Sequence, residues 1–276
     1  MSEYKYLMPK RRSKLRTSIG KLYFRQKRKL QWLKESSRFS KHRTNELLPY
    51  ITFTHRTPIL RRLKDVDMWM QHNKAENLKI AIRSIDGLVI EPREVFSYWY
   101  SLGKPTKRKG YKEGMILHYG KFRAGTGGGL CQLSNLLFWM TLHTPLNVIE
   151  RHRHGFDVFP DSNRTQPFGS GASCVYNYRD LQIENTTEER YQFHIRIEED
   201  YLIGEIRSEL PKYFDYSVYE KDHHLSHEYW GAYVRHNSIW RKTLDLQGKV
   251  INDARLYENH ALMMYEPLLS SNETAL

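Results

Sequence analysis

The chain has 276 residues, enough for one large domain or two modest ones with a real core. Aromatic residues make up 13%, with 19 tyrosines, which excludes a disordered chain. The net charge of +13 is local: residues 1–43 hold 15 Lys or Arg against two acids, Glu3 and Glu35, while the remainder holds 29 of each sign.

No apolar run approaches the roughly 18 residues that a membrane-spanning helix needs. The opening "MSEYKYLMPKRRSKLRTS" has no apolar core after its charges, so no ordinary signal peptide is expected. Two cysteines, Cys131 and Cys174, are too few for a disulfide framework and suit a reducing compartment. The expected location is cytoplasmic, peripheral at the inner membrane face.

From Ser13 to Lys34, Leu15, Ile19, Leu22, Tyr23, Leu30 and Leu33 recur at helical spacing among Lys and Arg. The spacing predicts a basic amphipathic helix. Such a helix suits an anionic membrane surface, a role assigned to residues 1–43. A stripe packed on the body is the bland alternative, and phosphate neutralisation on nucleic acid ranks last. Residues 46–72 read as a connecting helix and loop, with a helix around Leu60 to Met70 after Pro49 and Pro58. Leu78, Ala81, Ile82 and Ile85 predict another helix that ends at Gly87. Short strands are expected at Leu88 to Ile90 and Val95 to Tyr98, then a basic loop "KPTKRKGYKEG". After residue 175 the alternation becomes that of strands, and "LDLQGKVI" reads as a hairpin.

The chemistry concentrates in "TGGGLCQLSNLLFWM", residues 126–140. Leu133, Leu136, Leu137 and Met140 form a helical stripe, so a helix starts near Cys131. A helix N-terminus favours a thiolate, so Cys131 is a candidate nucleophile with a lowered pKa. Gly127, Gly128 and Gly129 allow close backbone approach, and their N–H groups suit an oxyanion, with Gln132 adding a side-chain amide. A plain buried thiol at a crowded helix start is the competing interpretation. The stretch lacks the lysine of a phosphate loop and the spaced glycines of a dinucleotide fingerprint.

In "NVIERHRHGFDVFPD", alternation predicts a strand with His152 and His154 on one face and Arg151 and Arg153 on the other. A histidine here can act as base, with Asp157 or Asp161 orienting it. Zinc held by Cys131, His152, His154 and Cys174 lacks the paired short cysteine spacings of structural sites, so no metal or other cofactor is expected.

The blocks "NLKIAIRSIDGLVIEPREVFSY", "GYKEG", "GGGLCQLSNLL", "VIERHRHGFDVFPD" and "DLQIENTT", in that order, resemble the VanW family. That family is named for an accessory protein of B-type vancomycin-resistance clusters. The resemblance covers residues 73–187 and implies a role in glycopeptide resistance at the bacterial envelope. It carries a recurring motif onto Gly127, Gly128, Gly129, Cys131, Gln132, Ser134, Glu150, Arg151 and His154. Arg93 stands where the family usually has glycine, and Asn135 where it has Ser or Thr.

The expected fold is α+β: a basic helical extension (1–45), a connector (46–72), a mixed helix and sheet core (73–187) and a β-rich C-terminal part (188–276). The expected activity is cysteine-dependent acyl transfer on a cell-wall peptide or lipid-linked precursor, with Cys131 as nucleophile, His154 as base and Asp157 as orienter. The alternative is a non-catalytic accessory that binds a wall precursor or partner enzyme at the membrane.

Overall fold

The computed structural model describes residues 12–61, 66–118, 120–153, 155–158 and 166–266. In chain order, α1 (Lys14–Lys34) precedes β1 (Tyr50–Pro58) and α2 (Met68–Ile82). Strands β2 (Val89–Ile90) and β3 (Val95–Ser97) run into the short helix α3 (Tyr98–Leu102). Strands β4 (Glu113–His118) and β5 (Lys121–Thr126) lead through the glycines into α4 (Cys131–Leu142). Short strands β6 (Asn147–Glu150), β7 (Phe156–Asp157) and β8 (Gln182–Glu184) follow. Then come β9 (Tyr191–Glu198), β10 (Tyr201–Ser208), β11 (Asp215–His227), β12 (Tyr233–Leu244) and β13 (Val250–Met263). The fold is α+β with a β-rich C-terminal part.

Sheet order explains how distant segments share one core. An antiparallel sheet β1-β10-β9-β2 packs against α4, whose Leu136 and Met140 lie against Gly204 of β10. A second sheet, β3-β8-β6, and a third, β11-β12-β13 with β7 added parallel, complete the body, and the two-stranded β4-β5 packs against α2. The predicted stripe of α4 is buried, and so are Phe138, Trp139, Thr141 and Leu142. A helix buried nearly all round is central, not superficial. Strands β9 and β10, assigned by sequence to the C-terminal part, thus sit in the same sheet as β1 and β2.

Helix α1 forms where predicted, with Ser13 as its N-cap: the Ser13 hydroxyl accepts from Arg16 N at 3.3 Å. Its contacts differ from the bland expectation, because the leucine stripe is not what packs. Arg28 is the buried residue of the helix, while Leu15 is 72% and Leu33 74% exposed. Ile19, Leu22 and Leu30 are also exposed. At 3.6 residues per turn that stripe lies on the side opposite Arg28. The body-facing side adds Arg25, whose Nε donates to Tyr176 O at 3.2 Å, and Trp32, set edge-on to Tyr100.

Three boundaries depart from the sequence expectation. The helix predicted at Leu60 to Met70 starts only at Met68 and continues without a break into the next one. That helix ends at Ile82, and a turn carries the chain to Gly87 (φ 75°), where a Cβ would meet Thr44 O at 2.3 Å. The strand predicted through both histidines stops at Glu150, and residues 151–153 lie outside any strand.

Arg93 has a φ of 66°, a left-handed backbone that costs a non-glycine residue about 1 kcal/mol. Its ion pair with Glu188, at 3.7 Å between largely exposed side chains, offsets little of that. Arg93→Gly should therefore raise the urea-unfolding free energy by about 0.5 kcal/mol at most, after the extra freedom of glycine in the unfolded chain.

Candidate functional site

The glycine run is a joint between β5 and α4. Gly127 (φ 76°) and Gly129 (φ 88°) adopt left-handed backbone. Gly128 packs backbone to backbone on Gly114, where a Cβ would approach to 2.1 Å. A Cβ on Gly129 would strike the Lys74 stem at 2.2 Å. All three N–H groups are already donated: Gly127 to Lys112 O (2.9 Å), Gly128 to Gly125 O (3.0 Å) and Gly129 to Met115 O (3.0 Å). Asn77 secures the joint from α2, donating to Gly128 O at 2.9 Å and accepting from Lys112 N at 2.8 Å. The oxyanion cradle expected from the sequence is thus filled by the protein's own carbonyls.

Cys131 opens α4 as expected, but its thiol is not a ready thiolate. The residue is half-buried and its sulfur points inward, where it receives the N–H groups of Cys174 and of Cys131 itself. Burial pushes the thiol pKa above 9.0, outweighing the two donors. The predicted lowering therefore fails on desolvation. Gln132 turns back to β1, donating to Pro58 O (2.9 Å) and Thr57 Oγ1 (3.3 Å), so its amide N–H groups hold a strand end. Ser134 is fully buried, its Oγ 2.7 Å from Ala172 O and 3.1 Å from Cys131 O. Asn135 accepts from Ala172 N at 2.8 Å. Segment 172–174 therefore lies across the first turn of α4.

Beneath that turn the titratable side chains cluster. Tyr98 donates to Leu130 O at 2.8 Å, and burial raises its hydroxyl pKa well above 10.0. Burial also pushes the Cys174 thiol well above 9.0, with the negative charge of Asp180 adding to it. Asp180 is fully buried, and its carboxylate accepts from Ser97 Oγ and from the backbone N–H groups of Trp99 and Leu181, both at 3.0 Å. Desolvation lifts its carboxyl from 3.8 to about 6.

Glu150 joins this cluster to α1. It accepts from Arg28 at 2.6 Å, His152 Nε2 at 3.0 Å and Asp180 N at 3.0 Å. Burial alone would raise its pKa, but the His152 and Arg28 hydrogen bonds outweigh it and the net shift is downward. His152 thus hydrogen-bonds Glu150. Arg151 is sandwiched over Phe138 and Tyr257, 4.6 and 4.7 Å from the ring centroids, and donates to Gly169 O and Gly171 O. Asp157 is elsewhere: its carboxylate meets Arg235 at 3.3 Å and Tyr265 Oη at 2.8 Å, next to β13. His154 and Asp161 lie outside the described residues.

The comparisons with known proteins agree with the motif order. The family model described as VanW like protein matches residues 73–207. The vancomycin B-type resistance protein VanW of Enterococcus faecalis is 32% identical over 219 residues, 79% of this chain and 79% of that protein. The chain belongs to the VanW family. An uncharacterised protein of Bacillus subtilis, YoaR, is 34% identical over 116 residues, covering 41% of this chain and 36% of YoaR. No solved structure matches.

The VanW match holds Cys131, Glu150, Cys174 and Asp180 together but excludes Arg28. Sequence reasoning missed Arg28, Tyr98 and Asp180, and gave Cys174 no role. Pairing of a helix arginine with Glu150 across 122 positions leaves no local signal. Asp180, the first residue of "DLQIENTT", carries the family resemblance, and nothing in its neighbours marks its burial.

Two outcomes follow from the raised pKa values. Iodoacetamide should label Cys131 in the folded chain at a rate still rising above pH 9, and Cys174 only on unfolding. Peptide mapping across pH reads both. For Asp180, the folded state binds the proton more tightly than the unfolded chain. Its contribution to stability is full below 3.8 and is lost as pH rises towards about 6. Asp180→Asn should therefore gain stability relative to the parent between pH 4 and pH 6, read by urea unfolding at each pH.

Proposed function

We propose that the protein is a cell-envelope accessory of vancomycin resistance, peripheral at the inner, cytoplasmic membrane face. There it binds a lipid-linked wall precursor or a cell-wall peptide, or a partner enzyme that handles one. The observation that carries this is the two-sided α1. Its Arg28 side is docked on the body, and its opposite side presents Leu15, Ile19, Leu22, Leu30 and Leu33 among Lys and Arg residues. An exposed apolar stripe flanked by cations matches an anionic lipid surface, where each basic residue contributes on the order of 1 kcal/mol. Among the described residues no helix is long and apolar enough to cross a membrane, so attachment by α1 would be at the surface. The resistance association belongs to the Enterococcus relative and is extended here by family.

The buried, protonated thiol and the occupied glycine amides favour binding over catalysis. Acyl transfer by Cys131 remains the second reading, supported by the two backbone N–H groups on its sulfur. Those donors would stabilise a thiolate once solvent reached it. Cys131→Ala separates the two readings: a binding accessory keeps its effect on resistance, and an acyl-transfer enzyme loses it.

Membrane attachment is tested by vesicle sedimentation of the full chain. Binding to vesicles with anionic lipid should weaken with salt as the charges are screened. The triple variant Leu15→Ser, Leu22→Ser, Leu33→Ser should lose most binding with little change in unfolding, because those side chains are exposed. A variant that binds as well as the parent would remove the membrane reading.

A further inference from the structure

The two cysteines of the chain lie at positions 131 and 174, and the fold brings them to one place. Ser134 Oγ sits 2.7 Å from Ala172 O and 3.1 Å from Cys131 O, and Asn135 Oδ1 holds Ala172 N at 2.8 Å. These bonds lay the strand of chain that ends in Cys174 over the first turn of α4. The Cys174 amide then donates to the Cys131 sulfur, and the Ser134 hydroxyl reaches the Cys174 thiol. Both thiols are free.

We propose that Cys131 and Cys174 form a dithiol that exchanges with external disulfides and closes into an intramolecular bond. Cys131 is half-buried and Cys174 is 9% exposed, so Cys131 meets the oxidant first. Its thiol loses a proton to solvent and the sulfur attacks one sulfur of a small-molecule disulfide, releasing one thiolate. Cys174 then loses its proton and attacks the Cys131 side of the mixed disulfide, releasing the second thiolate. The pair gives up two electrons and two protons, and the external disulfide becomes two thiols. Burial keeps both thiols protonated, so exchange is slow near neutral pH and quickens as pH rises. A reducing compartment holds the pair open, and a rise in oxidised small thiols closes it. Closure would fasten the segment that carries the Arg151 acceptors, Gly169 and Gly171, to α4. This inference is independent of the membrane reading and of any acyl transfer.

The test incubates the folded full chain with oxidised glutathione over a pH series. Thiol titration after denaturation should fall from two to none, with a mass loss of two hydrogens and a peptide joining Cys131 to Cys174. The oxidised form should melt at a higher temperature than the reduced one. Cys174→Ser should accumulate as a glutathione adduct on Cys131, while Cys131→Ser should stay unmodified until unfolded. A parent chain that keeps both thiols, carries separate glutathione adducts, or links only between molecules overturns the proposal. None of these readings involves lipid binding or substrate turnover, so their outcome is separate from that of the proposed function.

Discussion

The carboxylate of Glu150 is the point on which the assembly of this protein turns. It sits at the end of β6, partly removed from water, and stays ionised because three donors converge on it. One comes from the N-terminal helix, one from the segment just after β6, and one from the backbone before β8. The last donor belongs to Asp180, whose own carboxylate receives Ser97 and the first turn of α3. A continuous run of hydrogen bonds therefore leads from α1 through Glu150 and Asp180 to α3. Removing one member would leave buried polar groups unpaired, which costs more than the bond itself.

That network sets what the glycine–cysteine joint can do. The first turn of α4 is held from below by Tyr98, from the side by segment 172–174, and from β1 by Gln132. Such a turn resembles a packed keystone more than an open catalytic cleft. The same packing that hides the Cys131 sulfur also sets it beside the other cysteine of the chain. Desolvation outweighs the two amides on the Cys131 sulfur and the Ser134 hydroxyl at Cys174, and so decides the state of both thiols.

Much of the local architecture was legible in the sequence because it rests on local rules. The period of Leu133, Leu136, Leu137 and Met140 marks α4, the spacing from Ser13 to Lys34 marks α1, and the "LDLQGKVI" hairpin joins β12 to β13. The unusual backbone at Arg93 was legible by resemblance, as a side chain where glycine is usual. The site was less legible because its bonds are long-range. Glycines before a cysteine look alike whether their amides await a ligand or meet Lys112, Gly125 and Met115. Charge counting likewise marked residues 1–43 as separate from a neutral body, and could not see Arg28 reaching Glu150.

The docking of α1 through an arginine makes the N-terminal segment a structural part rather than a detachable tag. Cutting the chain after residue 43 would also remove Trp32 and Phe39, which pack on Tyr100, and would strip Glu150 of its guanidinium. The shortened chain would balance its charges numerically while leaving the Glu150 carboxylate beside Asp180 with only His152 and the Asp180 N–H as donors. For an engineer, the exposed leucines can be exchanged without cost to the fold, whereas the side of the helix that looks least hydrophobic is the one that folding needs.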